Sequence, residues 1–142
     1  MTFAGFDHID LRVRDLAAAR PLYDELLPAL GLIERLETVD SVEYYEPRHV
    51  PVRPRRFFGL NLDPGHVPNA NRIAFTAESA ADVDRLAGLV RSAGARIIEG
   101  PEILDSADAY YAVFFEDASG NRLEIAYRKP HHETNARAVS AT

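Results

Sequence analysis

The sequence predicts an α+β protein assembled from two copies of one βαβββ unit, and three observations carry that reading. Short runs of alternating apolar residues mark strands, and apolar residues at helical spacing mark two helices. The order strand, helix, strand, strand, strand then occurs twice. Advancing His8-Ile9-Asp10-Leu11 by 64 positions (8 to 72) lands on Arg72-Ile73-Ala74-Phe75, and the same step carries Asp15 onto Ser79.

In the first copy, Phe6 to Val13 alternates, with Ile9, Leu11 and Val13 on one face and His8, Asp10 and Arg12 on the other. Asp15 suits a helix N-cap, and Leu16, Ala19, Tyr23, Leu26 and Leu30 form a helical stripe. Pro21 interrupts that stripe and has no amide hydrogen to donate, so the regular helix is expected to begin near it or to kink there. Pro28 and Gly31 mark its end. Leu32 to Val39 and Val42 to Glu46 read as strands joined at Asp40-Ser41. Arg48 to Arg56, with His49, Arg53, Arg55 and Arg56, reads as a solvated loop or as a basic rim for an anionic ligand. Phe57 to Asp63 is the fourth strand of the copy.

Pro64 to Ala70 has the composition of a linker. The second copy opens with a strand from Arg72 to Ala77. Ser79 and Asp82 occupy the positions of a capping box, Val83, Leu86, Val90 and Ala93 make the stripe, and Gly94 stops it. Ala95 to Glu99, Tyr110 to Glu116 and Arg122 to Tyr127 complete the set, the last two joined by a hairpin turn in which Gly120-Asn121 supplies the positive φ. Residues 1–128 therefore read as one domain, module one over about 1–65 and module two over about 70–128. Lys129 to Thr142, with His131-His132, reads as a flexible tail.

Each unit packs its helix on the apolar side of its sheet, and the opposite faces are expected to line a shared concavity. Alternation assigns to that face His8, Asp10, Arg12, Gly59, Asn61, Arg72, Ala74, Thr76, Arg122, Glu124 and Ala126. Such a face is too polar for a core, and its small residues leave room for a ligand. A net charge of −6 argues against a nucleic-acid or anionic-membrane surface. The chain has no cysteine, which rules out disulfides and thiolate chemistry, and no apolar run long enough to span a membrane, so it is read as cytoplasmic.

The run Asp7-His8-Ile9-Asp10-Leu11-Arg12-Val13-Arg14-Asp15-Leu16, followed by Ala19-Arg20-Pro21-Leu22-Tyr23-Asp24, resembles the opening of vicinal oxygen chelate proteins. That superfamily holds glyoxalase I, bleomycin-resistance proteins, fosfomycin-resistance enzymes, extradiol dioxygenases and methylmalonyl-CoA epimerase. Asp117-Ala118-Ser119-Gly120-Asn121-Arg122-Leu123-Glu124 looks like its second signature, and the resemblance covers residues 6–128. It implies two βαβββ modules curled into a partly open mixed β-sheet barrel around a concave cavity, helices outside. It also implies a small-molecule ligand and a homodimer, with no nucleic-acid or membrane partner.

Enzymes of this superfamily hold a divalent metal with ligands from the first and last strand of each module. Carried over, the resemblance puts a first-strand ligand at His8 and the final carboxylate at Glu124. Arg72 stands where a histidine is usual, and Gly59 or Asn61 where some members have a glutamate. A guanidinium stays protonated and cannot ligate, so His8 and Glu124 form an incomplete metal set and a divalent metal is left open, with Arg72 arguing against it. Arg72 and Glu124 are expected to pair instead. Glu124 is the candidate catalytic carboxylate, and Asp10, Arg12, Asn61, Arg72 and Tyr111 are the candidate substrate-binding residues. The expected function is binding of a small oxygenated, anionic molecule over a degenerate metal site. The alternative is a metal-dependent lyase, isomerase or dioxygenase using His8 and Glu124.

Overall fold

The computed structural model describes residues 1–49 and 53–130. The middle of the basic loop, and the tail with His131 and His132, lie outside the described residues. The order of elements is β1 (His8–Val13), α1 (Leu16–Ala29), β2 (Glu34–Glu37), β3 (Ser41–Tyr45) and β4 (Phe57–Leu62), then β5 (Arg72–Thr76), α2 (Ala80–Ser92), β6 (Arg96–Asp105), β7 (Tyr110–Glu116) and β8 (Arg122–Tyr127). Each βαβββ module forms its own four-stranded mixed sheet, in the orders β1-β4-β3-β2 and β5-β8-β7-β6. The first strand of each module runs parallel to the last, and the remaining pairs are antiparallel. Among the described residues no strand pairing joins the two sheets, and each is an open sheet.

Both helices begin where capping chemistry places them. Asp15 accepts the amide of Ala18 at 3.2 Å, and Ser79 accepts that of Asp82 at 3.0 Å. α1 starts at Leu16, directly after the Asp15 cap, and continues through Pro21 rather than beginning near it. The carbonyl that Pro21 cannot serve belongs to Ala17, an exposed residue, so water can take the missing donor's place. Gly31, at φ +95°, closes the helix while the Leu32 amide reaches back to the Leu27 carbonyl at 2.9 Å.

Two other expectations need correction. β6 does not stop at Glu99 but runs on to Asp105, because register shifts absorb the Gly100-Pro101 step without ending its pairing with β7. In the turn between β7 and β8, Gly120 alone takes a positive φ, of +80°. Asn121 serves another purpose, described below.

The core draws on both modules. Val13, Leu22, Tyr23, Leu26, Tyr44, Phe58 and Leu60 from the first form one buried cluster with Val83, Leu86, Val90, Val113, Phe115, Leu123 and Ile125 from the second. Phe58 and Phe75 meet across the junction with ring centroids 5.6 Å apart. The apolar faces of the two sheets thus feed one shared interior, and each polar face lies outside it.

Four arginines of the basic loop are already engaged. Arg53 binds both carboxylate oxygens of Glu46 at 2.6 and 2.7 Å, and Arg48 and Arg55 reach Glu34 at 3.2 and 2.7 Å. Arg56 donates to the Ala4 carbonyl. The hydrogen bonds from Arg53 pull the Glu46 carboxyl down to a pKa of about 2. These contacts make the loop a structural clasp on β2 and β3 and leave its guanidiniums poorly placed as a free basic rim.

Candidate functional site

Register fixes which side chains share a face. In module two, Arg72 lies opposite Arg122, and Glu124 lies between Ala74 and Phe114 in adjacent strands. Glu124 keeps only 7% of its side chain exposed, on a face that elsewhere is open. Its Oε1 lies 4.0 Å from the Arg72 guanidinium, and its Oε2 accepts a short hydrogen bond from the Tyr110 hydroxyl. Burial, and then the neighbouring Glu124 carboxylate, push the Tyr110 phenol up to about 12, so Tyr110 is a hydrogen-bond donor throughout the physiological range. The Arg72 guanidinium rests on the Phe114 ring at 4.5 Å, and Arg128 covers the Tyr110 ring at 3.7 Å.

The sequence reading thus placed Arg72 and Glu124 beside each other, and in the structure they adjoin. It placed Tyr111 there too, and that placement is corrected. Tyr111 pairs with Tyr127 on the helix side of the sheet, and its hydroxyl donates to Asp84 of α2. Tyr110, one position earlier, is the tyrosine on the Glu124 face. Counting back through the hairpin would have found it. Once Glu116 pairs with Arg122, Phe114 falls opposite Glu124, and Tyr110 shares its parity.

His8 does not join this group within the chain. Its ring stacks on Phe57 at 4.5 Å, and Phe57 stacks in turn on Tyr45 at 4.7 Å. A hydrogen bond with Asp7, at 2.7 Å, and the nearby charges of Asp10, Asp7 and Glu43 raise the His8 pKa. All of these partners belong to module one, whereas the groups on Glu124 all belong to module two. His8 and Glu124 have no partner in common: the shared core takes the apolar faces of both sheets, and the contacts of each of these two side chains stay within its own module. Asn61 and Asp10 sit with His8, the Asn61 amide donating to Asp10 at 3.3 Å. Gly59 makes room for that carboxylate, since a Cβ there would lie 3.0 Å from Asp10 Oδ1.

Two cavities divide the remaining candidates. One, of about 380 Å³, lies on the open face of module two and is lined by Arg72, Arg96, Ile98, Phe114, Glu116 and Arg122. The other, of about 340 Å³, is a cleft between the modules lined by Asp10, Arg12, His66, Asn71, Asn121 and Arg122. Arg122 borders both.

These residues do not suit a superfamily-type divalent metal. Tyr110 already occupies one oxygen of Glu124, and the Arg72 cation stands near the other. Among the described residues no three His, Asp or Glu side chains gather as a ligand set.

The second signature proves to be a joint. Asp117, 6% exposed, accepts four hydrogen bonds: from the Tyr23 hydroxyl of α1 at 2.6 Å, and from the Ser119 amide, the Asn121 amide and the Asn121 side chain, each at 2.9 Å. The Asn121 amide group also donates to the Arg12 carbonyl at 2.9 Å, and its oxygen meets His66 Nε2 at 2.8 Å. Ser119 Oγ takes the Arg14 amide at 2.9 Å. A turn in module two therefore ties down the β1–α1 corner of module one and the linker.

Comparison with known proteins agrees with this architecture. A family model described as the Glyoxalase/Bleomycin resistance protein/Dioxygenase superfamily matches residues 5–125. An uncharacterized Bacillus subtilis (strain 168) protein, YqjT, is 29% identical over 124 residues, covering 83% of this chain and 94% of its own. The structure of a glyoxalase/bleomycin resistance protein from Albidiferax ferrireducens T118 superposes with a TM-score of 0.70 at 23% identity, over 87% of this chain and 98% of that one. The fosfomycin resistance protein FosX from Mesorhizobium loti superposes with a TM-score of 0.64 at 16% identity, over 96% and 99%. No helix is long and apolar enough to cross a membrane among the described residues. Built of paired βαβββ modules that the family model spans almost entirely, the chain belongs to the glyoxalase/bleomycin resistance protein/dioxygenase superfamily.

Proposed function

We propose that this chain binds a small oxygenated anion on the open face of module two, with Arg72 doing electrostatically what a metal does in other members of the superfamily. The observation that carries the reading is the state of Glu124, whose two oxygens are engaged by Tyr110 and approached by Arg72. A carboxylate held in this way keeps the guanidinium charged and oriented, while the guanidinium's other donors face the cavity. The apolar wall of Ile98 and Phe114 would receive the body of such a molecule. Glu124 stands behind Arg72 rather than among the residues lining this cavity, so as a general base it would act on a molecule that reaches past Arg72, with the Tyr110 hydroxyl hydrogen-bonded to it. Binding should therefore be insensitive to metal removal. Small carboxylates and oxyanions titrated calorimetrically should bind with the same affinity before and after treatment with chelator. Affinity that disappears on chelation and returns with a divalent cation would overturn the reading.

The assembly belongs to the same proposal. Among the described residues β1 and β5, like β2 and β6 at the far edges, each pair on one side only. We infer that a second copy covers the β1 and β5 edges in a two-fold dimer. Light scattering at micromolar concentration should report twice the chain mass of 15.8 kDa, and a monomer mass would end that inference.

A further inference from the structure

Across the open face of module two runs one transverse row of charged residues. Arg72 of β5 is in register with Arg122 of β8, Arg122 with Glu116 of β7, and Glu116 with Arg96 of β6. Neighbouring strands lie about 4.8 Å apart, so the row places charges of sign +, +, −, + side by side. Glu116 and Arg96 pair with each other at 2.8 Å. Arg72 has the distant Glu124 oxygen at 4.0 Å. Among the described residues Arg122 has no carboxylate within ion-pair distance: of its two register neighbours, Arg72 is the other cation and Glu116 is paired with Arg96. Like charges set directly opposite destabilise a sheet. The chain has 22 acidic residues against 16 basic ones, yet on this cavity floor the two adjacent arginines share a single ion-pairing carboxylate, Glu124, 4.0 Å from Arg72.

We infer that Arg72 and Arg122 together form a clamp for a doubly charged oxyanion, one oxygen or pair of oxygens to each guanidinium. This deepens the proposed function and rests on it. The ligand class is an organic molecule with a dianionic head, such as a phosphate or sulfate group, and an apolar body. The Arg72 guanidinium lies over the Phe114 ring, 4.5 Å from its centroid. The ring and Ile98 then supply the apolar surface next to the head group. A monoanion satisfies one guanidinium and leaves the repulsion between the two in place; a dianion cancels both charges. Arg122 thereby becomes the residue that selects charge state, a role that its exposed position at the start of β8 does not otherwise require.

The test uses the full chain treated with chelator, titrated with inorganic sulfate, inorganic phosphate and acetate. One equivalent of sulfate should bind, phosphate should compete for it, and acetate should bind at least about tenfold more weakly. Arg122→Ala and Arg72→Ala should each weaken sulfate binding by about ten- to hundredfold, the loss of a charge-assisted contact. Arg122→Lys, which keeps the charge but not the fork, should fall between. Arg85→Ala removes the same charge from the exposed side of α2, where Arg85 pairs with Asp82, and should change nothing. Sulfate binding that survives Arg122→Ala but not Arg72→Ala would refute the clamp and leave the proposed function standing. Acetate bound as tightly as sulfate would refute the dianion selectivity in the same way. Binding abolished by chelation would defeat both.

Discussion

Asp117→Ala should cost about 3–5 kcal/mol of unfolding free energy, the largest loss expected from any single substitution on the surface of the signature turn or beneath it. The carboxylate is buried and accepts from Tyr23, from two backbone amides and from the Asn121 side chain. Removing it leaves those donors without partners in a site water barely reaches, and each such buried donor carries a penalty. Tyr23 is fully buried, so its hydroxyl has no alternative. Asp117→Asn keeps one accepting oxygen and should lose roughly half as much, and Tyr23→Phe, which removes donor and demand together, about 1 kcal/mol. Chemical denaturation followed by circular dichroism measures all three. Because the turn bridges the modules, Asp117→Ala should also broaden the transition as the two modules cease to unfold together. A loss below about 1 kcal/mol would show that the network is surface decoration.

The second large effect is a gain. Arg72→His combined with Tyr110→Phe should create affinity for zinc at least about a hundredfold above the starting protein, on the order of 3 kcal/mol. The first change replaces a cation that cannot ligate with an imidazole that can, on the strand facing Glu124. The second frees the Glu124 oxygen that Tyr110 now occupies. Each change alone should yield only a fraction of the gain, because either a cation or a hydroxyl still competes at the carboxylate. Arg72→Ala, by contrast, should destabilise the fold only modestly, by about 1 kcal/mol. Glu124 is buried but Arg72 is 43% exposed and 4.0 Å away, so solvent screens the attraction that a fully buried pair would lose.

Much of this was legible in the sequence because alternation and helical spacing are local properties. They set β1, β5, β7 and β8 within a residue or two, and they put Arg72 and Glu124 on one face. Failures came where the deciding contact is not local. Tyr111 was chosen although strand parity through the hairpin selects Tyr110. Pro21 read as the start of the regular helix or a kink in it, because nothing in the chain shows that the carbonyl it leaves unserved is solvated. Asp117 read as a turn residue, since its one partner outside the turn, Tyr23 of α1, lies more than ninety positions away. His8 could not be separated from Glu124 by periodicity, which fixes the face of a strand but not how two sheets sit around a common core. The resemblance to the superfamily supplied the fold and the metal positions, and Arg72 already signalled that those positions had changed.

Under the proposed function, Arg72 and Tyr110 stand in the place of a metal at Glu124. Zinc titrated calorimetrically into the unmodified protein, stripped beforehand with chelator, tests it most directly. Heats indistinguishable from dilution up to millimolar zinc are the predicted result. One equivalent bound tightly, and lost on Glu124→Gln or His8→Ala, would contradict the account and restore a metal-dependent lyase, isomerase or dioxygenase as the better reading.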